Sequence, residues 1–156
     1  MFLTQNYLHM IIREFSEQDI DEITELMKVL CGIKEQEFNE ERWRSSIEKQ
    51  MREDNNSQVI VAFETETNHV LGMAFCAVKV SDNGIRFGYI SNLIVQEDRR
   101  RTGIGEKIIH SIIDYFRKNH IQSIRIASRP FKFKPAQKLF TKLGFEEIYR
   151  IYELHI

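Results

Sequence analysis

The spacing of apolar residues in the first third of the chain predicts one short strand followed by two helices. The apolar stretch MIIREF, residues 10–15, is expected to form the strand, and Ser16 with Asp19 matches the capping box of a following helix. Apolar side chains then recur every three or four residues, and Gly32 is predicted to end this helix. Asn39 is a candidate N-cap of the second helix. One face of that helix carries three apolar side chains: Trp43, Ile47 and Met51.

The middle of the chain consists of segments rich in β-branched and aromatic residues. Residues 57–64, 69–80 and 85–95 are each predicted as a strand, and the turn-forming sequences TETN and SDNG separate them. Three neighbouring strands joined by short connections indicate an antiparallel meander.

The last third alternates between helical and strand patterns. Helices are predicted over residues 105–118, with an isoleucine stripe facing the core, and over 135–144. A strand is predicted over 122–128, in a parallel crossover with the last meander strand, and residues 145–156 are predicted to form one or two terminal strands. The expected fold is therefore α+β, with a mixed, mostly antiparallel central sheet flanked by helices.

Length and composition indicate a single domain, residues 1–156, of an ordinary globular protein. The formal net charge of −1 argues against broad nucleic-acid binding, which requires a basic excess. There is no apolar run near the roughly 20 residues that span a bilayer and no signal-peptide pattern, so a cytoplasmic location is expected. Cys31 and Cys76 lie far apart and the histidines form no HxxxH pair, so neither a disulfide framework nor a metal site is expected.

The stretch EDRRRTGIGEKIIHSII, residues 97–113, carries the strongest chemical signal. Gly103 and Gly105 come just before a predicted helix start, where free backbone N–H groups and the helix dipole attract phosphate, and the three arginines add positive charge. A P-loop would need lysine in place of Glu106, and a dinucleotide fingerprint would need glycine in place of Ile108. An enzyme that uses ATP or NAD is therefore disfavoured.

Within this stretch, RRTGIG (residues 100–105) resembles the [Q/R]-x-x-G-x-[G/A] motif of the GNAT superfamily of acetyl-CoA-dependent N-acyltransferases. The preceding YISNLIV is similar to the family's acetyl-CoA strand, and AQKLFTKLGFEE resembles its A-x-x-x-Y-x-x-x-G-F segment. IIREFSEQDIDEITELM is similar to the family's first strand and helix, so the resemblance covers nearly the whole chain and implies a GNAT-like fold. Because Met10 resembles a natural family start, residues 1–9 are a candidate disordered extension.

The resemblance implies an acetyl-CoA site that is built largely from backbone groups. The backbone of Leu93, Ile94 and Val95 would pair with the pantetheine arm. The Val95 N–H would donate to the oxyanion that develops on the thioester carbonyl. The residues implied for the coenzyme A pyrophosphate are Arg100, Arg101, Thr102, Gly103, Ile104 and Gly105.

Two positions depart from the family pattern. Phe140 stands where the motif has a tyrosine that is thought to protonate the departing thiolate. Phenylalanine has no hydroxyl and cannot donate a proton, although its ring can pack beside the pantetheine. Phe133 stands where the family often carries an asparagine, three residues before Ala136.

The group that takes the proton from the acceptor amine is left open by the sequence. The strand before the glycine loop offers Tyr89, Ser91 and Asn92, none of which is a good base at pH 7. Asn92 is either an ordinary strand residue or part of a water network for proton removal. A bound water, or an acid such as Glu35 or Glu37, is the remaining alternative.

These features favour an N-acetyltransferase that transfers the acetyl group of acetyl-CoA to a primary amine of a small molecule or peptide, by direct attack in a ternary complex. The acidic residues that follow Gly32 weakly favour a cationic amine. The alternative is an acetyl-CoA-binding module or sensor with little or no transferase activity, which the missing tyrosine keeps open. The resemblance also makes a homodimer through the edge of the sheet an expected assembly.

Overall fold

The computed structural model describes residues 2–53, 56–128 and 134–156. Single 3₁₀ turns, Glu17–Asp19 and Glu97–Arg99, precede the first and third helices. The strands and α-helices of the described residues are β1 (Gln5–Tyr7), β2 (Met10–Glu14), α1 (Ile20–Ile33), α2 (Glu40–Arg52), β3 (Ser57–Glu64), β4 (His69–Val80), β5 (Arg86–Val95), α3 (Ile104–Lys118), β6 (Ile124–Ile126) and α4 (Lys134–Lys142).

The six strands form one sheet in the order β1-β2-β3-β4-β5-β6. Neighbouring strands are antiparallel, except that β5 and β6 run parallel. The parallel pair is the one joined through α3, because a parallel neighbour requires the chain to return to the same end of the sheet. The structure thus confirms the predicted α+β fold with a mixed, mostly antiparallel sheet. No helix of the described residues is long and apolar enough to cross a bilayer.

A hydrophobic core lies on each face of the sheet, because successive strand residues point to opposite faces. On β3, Ile60 faces the core beneath α3, whereas Val61 faces the core beneath α1 and α2. Burial of each large apolar side chain stabilises the fold by roughly 1.5–3 kcal/mol. In the predicted apolar stripe of α3, Ile108, Ile109, Ile112 and Phe116 are fully buried. The remaining member, Ile113, is partly buried against the same core.

A buried ion pair positions the start of α1. The Asp19 carboxylate, 1% exposed, accepts hydrogen bonds from the Arg13 guanidinium at 2.6 and 3.1 Å and from the Ser16 backbone N–H at 2.8 Å. The predicted Ser16–Asp19 capping interaction is therefore present. The bidentate geometry joins β2 to the first turn of α1.

Helix α1 continues past its predicted end at Gly32. Gly32 lies inside the helix, which continues to Ile33 with Lys34 as its C-cap. The chain reverses at Glu35, which has a left-handed φ of 54°. Glycine within a helix costs up to about 1 kcal/mol relative to alanine but does not terminate the helix when the next residues keep helical geometry.

Trp43 connects α2 to α1 and to the sheet. Its indole N–H donates to Thr24 Oγ1 at 2.9 Å, and the buried Thr24 hydroxyl donates to Ile20 O. The Trp43 ring also packs on Phe75 of β4 at a centroid distance of 5.6 Å. The side chain of Asn39 accepts from Arg42 N at 2.9 Å, which confirms the predicted N-cap of α2.

The expected disordered extension at residues 1–9 is corrected by the structure, which describes residues 2–9 as part of the fold. Residues Gln5–Tyr7 form β1, an antiparallel partner of β2. Phe2 is 6% exposed in the core beneath α3, and Gln5 Oε1 accepts from the buried Ser111 hydroxyl at 3.0 Å. The family pattern gave no signal for this strand, because its pairing depends on the edge that β2 presents.

The predicted terminal strand or strands over residues 145–156 are not formed, and this prediction is corrected. A strand needs partner backbone groups, and none of the described residues pairs with this segment despite its strand-like composition. Phe133, the second position that departs from the family pattern, lies outside the described residues. The exposed apolar and aromatic side chains of the terminal segment, at 59–115% exposure, are Ile148, Tyr149, Ile151, Tyr152, Leu154 and Ile156.

The close approach of β5 to α3 at Gly88 makes a first prediction. A Cβ added at Gly88 would lie 2.7 Å from two ring atoms of Phe116, so Gly88→Ala should force the ring to move. We expect the free energy of unfolding to fall by about 1–3 kcal/mol, as for other overpacked cores, measured by urea denaturation.

Gly32→Ala is the matched control, because among the described residues no atom beyond its chain neighbours and its own helix backbone lies within 4 Å of the added Cβ, and its backbone is helical. This variant should be unchanged in stability or more stable. Equal unfolding midpoints for Gly88→Ala and the wild type would contradict the described contact between β5 and Phe116.

Candidate functional site

A β-bulge interrupts β5 at Asn92. Met73 of β4 pairs with Ile94 and Phe75 pairs with Ser91, so one residue of β4 lies opposite two residues of β5. Asn92 has a left-handed φ of 53°. Such a bulge reverses the faces of the residues that follow it. Ile94 accordingly packs beneath α1 and α2, whereas without the bulge it would face α3.

The second half of β5 has an open edge. β6 pairs with β5 only from Gly88 to Ile90, and no described strand continues beside Ser91 to Val95. Gln96 N–H donates to Leu71 O of β4 at 2.8 Å. Since N–H groups alternate sides along a strand, the Val95 N–H points to the open edge.

The backbone groups implied for the coenzyme arm are therefore not equivalent. The N–H and C=O of Val95 are directed to the open edge, and Arg100 Nε donates to Val95 O at 3.0 Å from that side. Leu93, two residues earlier, directs its backbone groups to the same open edge, and its side chain packs against the core beneath α3. Ile94 lies between them with its side chain 5% exposed in the other core.

Arg99 has a structural role that separates it from the other two arginines. Its guanidinium binds both carboxylate oxygens of Glu64, at 2.7 and 3.1 Å. The Arg99 guanidinium, together with the hydroxyl of Thr67, lowers the pKa of the Glu64 carboxyl, and Glu64 raises the pKa of Arg99. Arg99 thus holds the loop to the end of β3, and Arg100 and Arg101 are the arginines nearer the helix start.

The loop before α3 has the geometry of an anion site. Arg101 and Gly103 are left-handed, with φ of 65° and 85°, and the Thr102 hydroxyl donates to Arg99 O. The helix begins at Ile104, and Lys107 N–H donates to Gly103 O at 3.1 Å. The N–H groups of the first turn have no intrahelical acceptor and face outward, where the helix dipole favours negative charge.

Two features keep the approach to this helix start open. An added Cβ at Gly105 would touch Val95 Cγ2 at 3.7 Å and Leu139 Cδ2 at 4.0 Å, so the glycine is not required by packing. The Glu106 carboxylate would repel a phosphate if it were free. It is bound instead to Lys142 Nζ at 3.0 Å, which lowers its pKa and partly neutralises its charge.

An open groove of about 620 Å³ joins the open edge to the loop. Leu26 and Val29 of α1 form its apolar wall, and Val95 and Arg100 form the opposite side. Its acidic lining is partly paired, since Glu22 accepts from Val70 N at 2.9 Å. The acidic lining residues are Asp21, Glu22, Glu25, Glu97 and Asp98.

Phe140 is positioned by α4 away from this groove. It is 8% exposed in the core beneath α3 and α4, with its ring centroid 6.0 Å from that of Phe145. Gly144, two residues beyond the end of α4, has a φ of 90°; its N–H donates to Thr141 O at 3.0 Å, and Phe145 N–H donates to Phe140 O at 2.9 Å. These bonds and the left-handed glycine form the C-terminal cap of α4.

Near the bulge, the polar groups come from α1 as well as from β5. Lys34 Nζ donates to Asn92 Oδ1 at 3.4 Å, a contact that the sequence gave no reason to expect. Cys76 is not a candidate nucleophile, because burial raises the pKa of its thiol to about 12. Among the described residues, no group of three or more His, Cys, Asp or Glu side chains could hold a metal ion.

The six-stranded, mostly antiparallel sheet with its helices matches the fold of GNAT acetyltransferases. The sequence model of the acetyltransferase (GNAT) family matches residues 21–145. This chain therefore belongs to the GNAT acetyltransferase family. No curated protein matches the chain in sequence.

Several solved structures share the fold at low sequence identity. A transcriptional regulator from Bacillus halodurans C-125 has 20% identity and a TM-score of 0.78, covering 95% of this chain and 100% of that chain. A predicted acetyltransferase with acetyl-CoA, from Clostridium acetobutylicum, has 19% identity and a TM-score of 0.73, covering 94% and 96%. Glucosamine-6-phosphate N-acetyltransferase from Arabidopsis thaliana has 13% identity and a TM-score of 0.74, covering 94% and 97%.

The pairing of Arg99 with Glu64 predicts a pH-dependent stability effect. Because the folded-state pKa of Glu64 is lowered, the pair contributes stability above the ordinary glutamate pKa of about 4.3 and loses it as pH falls through the folded-state value. Arg99→Gln should lower Tm at pH 7 by no more than about 2–4 °C, and the difference from wild type should shrink in acid.

Arg117→Gln is the matched control, because within the described part of the chain Arg117 makes only an exposed contact with Asp114 at 3.5 Å. A Tm difference for Arg99→Gln that persists undiminished in acid would show that Glu64 is not its partner. Thermal scans at neutral and acidic pH provide the measurement.

Proposed function

We propose that this chain is an N-acetyltransferase that transfers the acetyl group of acetyl-CoA to a primary amine of a small molecule or peptide. The observation that carries the proposal is that Val95, on the open edge of β5, and Arg100, in the loop before α3, line one groove. A ligand with a pyrophosphate at one end and an amide-bearing arm at the other would match both features. Coenzyme A thioesters have this construction.

The groups present fit acetyl-CoA. The edge-facing backbone groups of Leu93 and Val95, with Ile94 between them, would pair with the amides of the pantetheine arm, and the Val95 carbonyl would exchange its bond from Arg100 Nε for one from the ligand. When bound, acetyl-CoA supplies an activated thioester. The residues that would hold its pyrophosphate are Arg100, Arg101, Thr102, Gly103, Ile104 and Gly105.

The reaction would proceed by direct attack in a ternary complex. The acceptor nitrogen attacks the thioester carbonyl carbon, so that an N–C bond forms as the C–S bond breaks. The amine loses one proton, and coenzyme A leaves as a thiolate. The Val95 N–H would donate to the carbonyl oxygen and stabilise the negative charge that develops there.

Proton handling would rely on water more than on a dedicated side chain. Asn92 lies at the bulge with Lys34 Nζ 3.4 Å from its amide oxygen. We propose that Asn92 orients a water molecule, which takes the proton from the acceptor amine. Phe140 cannot protonate the thiolate. A free thiol has a pKa near 8.5, so its thiolate is a stable enough leaving group for this step to proceed without an adjacent acid.

The alternative is a module that binds acetyl-CoA as a sensor, with little or no transfer. It is favoured by Phe140, which carries no hydroxyl and is 8% exposed within an apolar core. Thiol release from acetyl-CoA in the presence of a panel of primary amines separates the two functions. A transferase releases thiol only when an accepted amine is present, and a sensor releases none.

The glycine loop predicts a selective effect of Gly105→Ala. The added Cβ makes only ordinary contacts with the protein, so stability should be close to that of wild type. It should nevertheless obstruct a phosphate that approaches the backbone, and weaken acetyl-CoA binding at least about 10-fold, or 1.4 kcal/mol.

Thermal shift and calorimetric titration with acetyl-CoA would measure this effect, with Gly32→Ala as the control that leaves affinity unchanged. A ligand at 100 times its Kd stabilises the native state by about 2.7 kcal/mol, which such a scan detects. ATP and NADH serve as competing ligands. Equal affinity of Gly105→Ala and wild type for acetyl-CoA would remove the loop from the proposed site.

We further propose that two copies of the chain associate through residues 145–156. Six large apolar or aromatic side chains lie exposed within the last nine residues, which is more than isolated surface residues normally present. β6 is only three residues long and has no second neighbour among the described strands. A strand supplied reciprocally by a second copy would cover both surfaces, as in domain exchange.

Charge introduced into this segment should therefore abolish the dimer. We expect the double variant Ile151→Lys and Tyr152→Lys to be monomeric where the wild type is dimeric, by light scattering after size exclusion. Val80→Lys is the matched control, because Val80 is 64% exposed at the end of β4 and lies outside the segment. A monomeric wild type at all tested concentrations would refute the association.

A further inference from the structure

Part of the sheet face on the α1–α2 side carries a cationic and aromatic surface. Lys79 of β4 pairs with Phe87 of β5, and Tyr89 of β5 pairs with Arg125 of β6. Residues that pair directly across neighbouring strands point to the same face of the sheet. These four side chains therefore lie together, and we refer to them as the cationic face.

Each cation of this face lies over an aromatic ring. Lys79 Nζ is 4.1 Å from the centroid of the Tyr89 ring, and Arg125 Cζ is 4.1 Å from that of Phe87. Energetically significant cation–π contacts occur about once per 70–80 residues, so two on adjacent strands of one face are a local concentration. A guanidinium stacked on a ring keeps its N–H edge directed away from the ring, which suits bidentate binding of carboxylate or phosphate.

The charges of the cationic face are not compensated within the described part of the chain. Neither Lys79 nor Arg125 has a carboxylate oxygen within ion-pair distance there, whereas Arg13, which also lies over a ring, is bound to Asp19 at 2.6 Å. On a chain of net charge −1, two such cations side by side attract an anion.

The cationic face is continuous with the region where acyl transfer would take place. Ser91 pairs with Phe75 and shares the face of Tyr89, and Asn92 follows at the bulge with Lys34 Nζ 3.4 Å from it. Tyr89 is three residues from Asn92, a distance of roughly 10 Å along the strand. One small molecule can therefore reach both positions.

We propose that Lys79 and Arg125 bind an anionic group, carboxylate or phosphate, of an acceptor whose primary amine lies at the bulge. This inference rests on the proposed transferase function and identifies its acceptors as amines that also carry a negative charge. It replaces the weak sequence preference for a cationic amine. That preference came from acidic residues of which Glu35 and Glu37 are exposed and Glu40 is bound to Arg44 at 3.3 Å.

The test compares acceptors that differ only in charge. Acetyl-CoA is supplied with ω-amino carboxylates of increasing length, ω-aminoalkyl phosphates, and the neutral amides and diamines of matched length. We expect higher kcat/KM for the anionic members, with the carboxylate and phosphate series showing which anion is preferred. Lys79→Gln and Arg125→Gln should each lower kcat/KM for anionic acceptors about 10- to 100-fold and leave the neutral amides nearly unchanged. Arg117→Gln, an exposed arginine of α3, is the control.

A binding measurement separates this inference from the transferase function. 6-Acetamidohexanoate, the product of one acceptor, is titrated calorimetrically into the protein with coenzyme A present. Transfer without preference for anionic amines, or equal losses for neutral and anionic amines in the variants, overturns the inference and leaves the function. If no amine is acetylated but 6-acetamidohexanoate binds the wild type more tightly than Arg125→Gln, the function is overturned and the anion site remains. Absence of both overturns both.

Discussion

The bulge at Asn92 reverses the faces of β5, and the two ends of the strand consequently serve different parts of the structure. Before the bulge, Ile90 packs against α3 and the strand is paired on both sides. After it, Ile94 packs beneath α1 and the outer edge is unpaired among the described strands. An unpaired strand edge is a row of free hydrogen-bond donors and acceptors, which is why this half can pair with an extended ligand.

The charged side chains around the loop divide into those that hold the fold and those that remain available. Arg99 forms an ion pair with Glu64, and Glu106 forms an ion pair with Lys142. These pairs fix the loop between β3, α3 and α4 and remove a carboxylate charge from the helix start. Arg100 and Arg101 then provide positive charge beside free backbone N–H groups, a combination that favours an anion over any neutral ligand.

Most strands and helices could be predicted, because each depends on a periodicity that its own residues carry. The β4 boundaries, the N-cap at Asn39 and the buried stripe around Ile112 follow from local pattern. The failures occurred where the outcome depends on a distant partner. β1 formed because β2 offered an edge, and residues 145–156 did not form a strand because no described strand pairs with them.

The sequence by itself determined the fold class and located the glycine loop before α3, because helix spacing, glycine positions and a contiguous motif are all local properties. It also identified Phe140 as a position without a proton donor. Only the tertiary structure decided that Arg99 pairs with Glu64, that Lys34 donates a hydrogen bond to Asn92, and that cations from two strands lie on one face of the sheet. Those contacts join residues far apart in the chain. Their existence depends on register, on the bulge and on strand order, which no local pattern encodes.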